Sequence, residues 1–142
     1  MKAGKFLASK NTAAYISLVC AVLALAILAF YCVYAQINDY YDSVVCGCFI
    51  LSAVCFLGYF LFNRIKALRF LNILAVFFLS FALCFFFLNS YPVWADELNG
   101  ITMYNSRGGL VPVIGIMAAT LICTIAGIVT CFMKPETKEE RQ

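Results

Sequence analysis

Residues 13–34 read AAYISLVCAVLALAILAFYCVY, 22 residues without a charged side chain. At about 1.5 Å of rise per residue, a helix of this length crosses a hydrocarbon core about 30 Å thick. Three more apolar stretches, of 19, 21 and 24 residues, follow at 44–62, 68–88 and 110–133, and Arg69 near the start of the third is their only charged residue. The chain is 65% hydrophobic and 12% charged. This pattern predicts an all-α integral membrane protein, a four-transmembrane-helix bundle with short loops that forms one domain over residues 1–142.

Charge placement predicts the orientation of the bundle. One end of the bundle carries the connection between the first two spans and the connection between the last two. Arg107 is the one basic residue expected at that end. Nine basic residues fall at the opposite end: Lys2, Lys5, Lys10, Arg64, Lys66, Arg69, Lys134, Lys138 and Arg141. By the positive-inside rule both termini should be cytoplasmic. We expect a multi-pass protein of the plasma membrane whose first partner is the lipid bilayer, and the net charge of +3 gives no reason to expect nucleic acid.

Several kinds of chemistry are missing from the sequence. It has no histidine, the commonest general base and metal ligand, which argues against histidine-dependent membrane phosphatases, desaturases and metalloproteases. The deepest polar side chains cannot change charge, so proton-coupled transport is not expected. These are Asn72, Ser80, Thr120 and Thr124. We therefore predict no enzymatic activity, no catalytic, cofactor-binding or metal-ligating residue, and no cofactor.

Small side chains mark the predicted packing faces. In lipid, helices associate through close contact of small residues and through hydrogen bonds between helices. The fourth span repeats a small residue every four positions, at Gly115, Ala119, Cys123, Gly127 and Cys131. Shorter strips occur in the first two spans, at Ala14, Ser17, Ala21 and Ala24, and at Cys48, Ser52, Cys55 and Tyr59. The third span is rich in phenylalanine and should mostly face lipid or fill the gap between its neighbours. Each strip indicates packing within the chain or an interface with a second copy or a partner.

Eight cysteines invite a comparison with four-helix thiol oxidases. Those enzymes use a Cys-x-x-Cys motif plus a second pair in a loop, whereas this chain has only Cys46-Gly47-Cys48 and no cysteine in the two connections at that end. A thiol in apolar surroundings behaves as a small hydrophobe, so we expect eight reduced cysteines used in packing. Thiol redox chemistry or Cu(I) binding at Cys46 and Cys48, and palmitoylation of Cys131, remain alternatives.

The longest connection covers residues 90–109 and is the only one long enough to form a structural element of its own. Tyr91-Pro92 should end the third span in an extended turn, and residues 93–98 should form a helical turn on the membrane surface that stops at Asn99-Gly100. Two interpretations of Arg107-Gly108-Gly109 stay open. It is either a turn closed by an ion pair, or a contact for an anion or lipid headgroup at the start of the fourth span.

Together these patterns predict a non-catalytic polytopic membrane protein, an accessory or scaffold subunit that packs against itself as a homo-oligomer or within a larger membrane complex. The alternative is an oligomeric channel or carrier for a small neutral or lipid-like solute. A second alternative is a membrane thiol-redox enzyme.

Overall fold

The computed structural model describes residues 12–62, 69–100 and 108–133. Within these ranges there is no strand, and the chain forms five helices: α1 (Thr12–Ile37), α2 (Ser43–Phe62), α3 (Phe70–Asn89), α4 (Tyr91–Asn99) and α5 (Leu110–Phe132). The helices α1, α2, α3 and α5 are long and apolar enough to cross a membrane, which confirms the four predicted stretches as helices. Because α3 begins at Phe70, Arg69 precedes it, and the four long helices carry no charged side chain.

The four long helices form a bundle in which each packs mainly on two neighbours. The first, α1, packs against α2 and α5, and α3 packs against the same two helices, while the short α4 touches α3 and α5. Residues 38–42 connect α1 to α2, and a connection this short forces neighbouring helices to run antiparallel. The order around the bundle axis is therefore α1, α2, α3, α5.

The small-residue strips of α1 and α2 lie inside the bundle, as predicted. In α1 the strip is fully buried, with Ala14, Ser17, Ala21 and Ala24 all at 0% exposure. In α2 every member of the strip is buried as well: Cys48, Ser52, Cys55 and Tyr59. In α3, Phe77, Phe81 and Phe87 are exposed, as predicted for a helix that mostly faces outward, and Phe86, at 1% exposure, packs against Tyr31 of α1, as predicted for a side chain that fills the gap between neighbours.

The strip predicted for the fourth span follows the buried face of α5 only in part. Cys123 and Gly127 are buried, Ala119 is half-buried, and Gly115 and Cys131 are exposed. The buried line of α5 consists instead of Val113, Ile116, Thr120, Cys123, Thr124, Gly127 and Thr130. A step of four residues turns about 40° past one full helical turn, so a strict four-residue repeat winds off any one face. A packing role for Gly115, Ala119 and Cys131 stays a prediction about contacts outside this chain.

Specific backbone features end α1 and begin α2. Asp39 has a positive φ of 61°, and the Tyr40 N–H donates to the Ala35 carbonyl at 2.9 Å. This arrangement is a Schellman motif, with Asp39 where glycine is commonest. Three residues later, the Asp42 carboxylate accepts a hydrogen bond of 2.8 Å from the Val44 N–H and so caps the start of α2.

The connection from α3 to α4 differs from its prediction. Only Ser90 separates the two helices, and Tyr91-Pro92 lies in the first turn of α4, so the expected extended turn there is wrong. Proline is tolerated at that position because its missing N–H would have no partner in the helix. The predicted helical turn at residues 93–98 is confirmed as part of α4, and Gly100, with a φ of 63°, ends it.

Candidate functional site

A buried asparagine joins the four long helices at the end of the bundle that lies farthest from the α1–α2 connection. The amide nitrogen of Asn72 on α3 donates to the Thr130 hydroxyl at 2.5 Å and to the Cys131 sulfur at 3.2 Å, both on α5. Its amide oxygen lies 3.3 Å from the hydroxyl of Ser17 on α1, and that hydroxyl is also 3.4 Å from the carbonyl oxygen of Phe56 on α2. We call the side chains of Ser17, Asn72 and Thr130, together with the main-chain carbonyl of Phe56, the Asn72 junction.

The Asn72 junction is closed to solvent and satisfied. Ser17 is 0% exposed, and Asn72 and Thr130 are each 2% exposed. The Thr130 hydroxyl donates a hydrogen bond of 2.6 Å to the Gly127 carbonyl, so it accepts from Asn72 and donates within α5. Asn72 and Thr130 also form part of the wall of a cavity of about 90 Å³, together with Arg69 and Tyr59. These contacts hold helices together and leave no side chain in the junction that could exchange a proton.

A second polar cluster lies at the opposite end of the bundle. The Tyr31 hydroxyl donates to the Tyr40 carbonyl at 3.2 Å and accepts a hydrogen bond of 2.9 Å from the Asp42 N–H. The second carboxylate oxygen of Asp42 accepts a bond of 2.6 Å from the Asn89 amide at the end of α3. We call Tyr31, Asp42 and Asn89 the Asp42 junction. It fixes the α1–α2 connection against α3.

Two of the eight free thiols stand in contact near the Asp42 junction. The sulfur atoms of Cys32 on α1 and Cys46 on α2 are 3.6 Å apart. Cys46 is 7% exposed and Cys32 is half-buried. A hydrogen bond with the Cys46 thiol, together with the charge of that group when ionised, raises the pKa of the exposed Tyr41 hydroxyl. Because Cys32 is half-buried and not closed off, the Cys32–Cys46 pair lies close to the surface of the bundle.

The thiol contact differs from the redox pair considered in the sequence. Cys46 meets Cys32 on the neighbouring helix, whereas Cys46 and Cys48 are two positions apart on one helix and point in different directions. Cys32 and Cys46 are each seven residues from Asp39, the turn residue between the helices. Residues at equal distance from the turn lie level with each other on two antiparallel helices. This spacing is the sequence signal that could have identified Cys32 and Cys46 as a pair.

Another pair of cysteines joins α1 to α5 in the middle of the bundle. The Cys123 thiol donates to the Cys20 carbonyl at 3.4 Å, and the Cys20 sulfur lies 3.9 Å from the Cys123 carbonyl. Both residues are buried, at 0% and 1% exposure. Reciprocal contacts between side-chain sulfur and main-chain oxygen require the two backbones to approach closely, so these cysteines act as small packing residues.

The predicted anion contact lies partly outside the described residues, because Arg107 is not among them. Gly108 and Gly109 precede α5 and are exposed. Gly108 has a φ of 107°, and a Cβ there would lie 2.5 Å from the Tyr34 hydroxyl. That hydroxyl donates to the Gly109 carbonyl at 3.1 Å, which ties the start of α5 to the end of α1. Anion binding at Arg107, Gly108 and Gly109 stays a prediction.

Large side chains fill the bundle between its two polar junctions. Phe49 and Phe56 of α2 and Leu79 of α3 are each 0% exposed, and Ile116 of α5 is 2% exposed. Tyr31 packs edge-on against Phe86, with ring centroids 5.5 Å apart. This packing leaves the polar groups at the two ends separated by an apolar layer.

Comparisons of the chain with known protein families, with curated proteins and with solved structures found no match.

Proposed function

We propose that this chain is a multi-pass membrane protein that acts as a non-catalytic accessory or scaffold subunit, packed against itself or a membrane partner. The observation that carries the membrane part is the apolar exterior of all four long helices. Val22, Val54, Phe77 and Ile122, one on each helix, are between 56% and 64% exposed. A continuous apolar exterior of this kind is far larger than the patches found on soluble monomers and suits contact with lipid.

The satisfied polar interior supports a non-catalytic role. The Asn72 junction uses its amide and hydroxyl groups in bonds between helices, and the Asp42 carboxylate is engaged by a helix cap and by Asn89. A catalytic group must instead be held ready for a substrate, with a pKa suited to the transfer it performs. The polar groups of this bundle serve its architecture, as expected of a subunit that supplies shape and surface.

An exposed small-residue surface on α5 supports association. Gly115 and Ala118 are exposed, and a Cβ added at Gly115 would meet nothing within 4 Å. Small exposed residues allow another helix to approach closely, which is the main source of helix association in lipid. We propose this part of α5 as the face that meets a second copy or a partner.

Native mass spectrometry in mild detergent, with identification of co-purifying proteins, tests the proposed role. We expect a particle heavier than the 15.8 kDa chain with its bound lipid. Gly115→Leu should reduce that assembly to the single chain while leaving the thermal stability of the chain unchanged. A wild-type protein that is monomeric and free of partners at all detergent concentrations would contradict the scaffold proposal.

The proposal includes the orientation and the location of the protein. Nine of its ten basic residues fall in the sequence segments that precede α1, join α2 to α3 or follow α5, and this supports cytoplasmic termini. Placement in the plasma membrane is part of the same proposal. Membrane fractionation with a marker protein for each organelle tests it.

A further inference from the structure

The thiols of Cys32 and Cys46 are placed for a covalent bond between α1 and α2. Their sulfur atoms are 3.6 Å apart, and a disulfide needs about 2.05 Å. Because the two residues are level on neighbouring antiparallel helices, a closure of about 1.5 Å is within reach of side-chain rotation and a small helix shift. Cys20 and Cys123 also interact through their side chains, but both are closed off in the middle of the bundle, at 1% and 0% exposure.

We propose that Cys32 and Cys46 form a reversible disulfide that fastens α1 to α2 beside their connection. This inference goes beyond the scaffold role and rests only on the orientation proposed with it, while the thiol count below is read independently of that orientation. The proposed orientation puts the pair at the extracytoplasmic end of the bundle, where disulfides form and persist. The structure shows the reduced form of the pair.

Accessibility distinguishes this pair from the other cysteines. Cys32 is half-buried and is the more exposed of the two, since Cys46 is 7% exposed. The mid-bundle cysteines Cys20 and Cys123 instead direct their sulfur atoms at main-chain carbonyls and are closed to reagents. A soluble disulfide can therefore reach Cys32 but not the centre of the bundle.

Oxidation proceeds by thiol–disulfide exchange with an external disulfide such as oxidised glutathione. Cys32, the more exposed thiol, loses its proton and attacks one sulfur of that disulfide, which forms a mixed disulfide and releases one thiol. The Cys46 thiolate then attacks the Cys32 sulfur, which closes the bond between the two cysteines and releases the second thiol. The chain loses two electrons and two protons, and the external disulfide gains them.

The test uses the full chain in phosphatidylcholine nanodiscs, titrated with mixtures of reduced and oxidised glutathione. After an acid quench, free thiols are counted by denaturing alkylation and mass spectrometry, and the linked peptides are sequenced. We expect the oxidised protein to lose two of its eight free thiols, at Cys32 and Cys46, with a mass lower by two hydrogen atoms. Dithiothreitol should restore all eight.

Cys48→Ser is the matched control, because Cys48 is buried two positions from Cys46 on the same helix. It should keep the oxidation of the pair, whereas Cys32→Ser should abolish it. The wild-type chain should also unfold at a higher temperature when oxidised, and the Cys32→Ser chain should show no such shift. Eight free thiols at every glutathione ratio in a folded wild-type chain would overturn the proposal, as would a disulfide that maps to Cys48 or to a mid-bundle cysteine.

Discussion

At the scale of single residues, one amide accounts for much of the cohesion between helices. Asn72 contacts α1 through Ser17 and α5 through Thr130, and Ser17 extends the contact to the α2 carbonyl at Phe56. In lipid, apolar burial gives helices little reason to associate, so directional bonds of this kind carry more of the specificity than in a soluble bundle. Asn72 therefore fixes how the four helices meet at this end.

Replacing Asn72 with alanine tests the Asn72 junction. The change removes the partner of Ser17 and Thr130, and we expect the free energy of unfolding to fall by about 1–3 kcal/mol. Ser80→Ala is the control on the same helix, because the Ser80 hydroxyl bonds only to the Val76 carbonyl one turn away. That variant should stay within about 0.5 kcal/mol of wild type. Denaturant titration in detergent, followed by circular dichroism, compares the two; equal stabilities would remove Asn72 from this role.

Gly127 provides a second test at a single position. A Cβ at this position would lie 2.8 Å from a Val76 methyl group and 3.0 Å from the Phe56 ring, so the space beside Gly127 is filled by side chains of α2 and α3. Gly127→Leu should destabilise the fold by about 3 kcal/mol or prevent it, since overpacking forces neighbours out of place. Gly127→Ala should stay within about 1 kcal/mol, because the gain in helix propensity offsets a slight displacement of Val76.

Gly115→Leu is the matched control on the same helix, because the space around Gly115 is open. Thermal unfolding of the three variants in one detergent should place Gly115→Leu close to wild type and Gly127→Leu well below it. A Gly127→Leu protein as stable as wild type would mean that this part of α5 is not packed as described.

At the scale of helices, the spacing of small residues decides whether a strip stays on one face. The α1 strip alternates steps of three and four residues, so it winds only about 80° from Ala14 to Ala24, and all four of its members are buried. The α5 strip steps by four each time and winds about 160° from Gly115 to Cys131. It crosses the buried face at Cys123 and Gly127 and leaves that face at both ends.

The start of α2 gives a prediction at this scale. Asp42 caps the helix through the Val44 N–H and binds Asn89 of α3, so Asp42→Ala should lower the free energy of unfolding by about 1–2 kcal/mol. Asp42→Asn keeps an oxygen for the cap and should lose less than half of that amount. Hydrogen exchange of the first turn of α2, measured by mass spectrometry, should increase for alanine and change little for asparagine; unchanged exchange in both would show that the cap contributes nothing.

At the scale of the whole molecule, the bundle has an apolar exterior, a largely apolar middle in which the hydroxyls of Ser52, Thr120 and Thr124 bond to main-chain carbonyls, and a polar junction near each end. This arrangement allows the helices to cross lipid while their few polar groups are satisfied internally, as a low-dielectric surrounding requires. The two junctions lie on opposite sides of the layer formed by Phe49, Phe56 and Leu79. A solute path through one copy of the chain would have to displace these side chains.

Topology is the prediction that belongs to the whole molecule. Tags at the N-terminus and the C-terminus should both be reachable only from the cytoplasmic side, because nine of ten basic residues fall in the sequence segments before α1, between α2 and α3, and after α5. Protease protection of inside-out and right-side-out vesicles measures this. A tag placed in the connection at residues 101–107 is the internal control and should show the opposite accessibility. Removal of a terminal tag from right-side-out vesicles would reverse the assigned orientation.

The amino-acid sequence by itself determined the four long helices and the buried faces of α1 and α2, because length without charge and the spacing of small residues are properties of one segment at a time. The tertiary structure alone decided that Cys46 meets Cys32, that Asn72 joins four helices, and that α5 turns Gly115 outward. Each of these depends on which helices are neighbours and on how far each is rotated about its own axis. Packing of all the segments together sets both quantities, and no single segment encodes them.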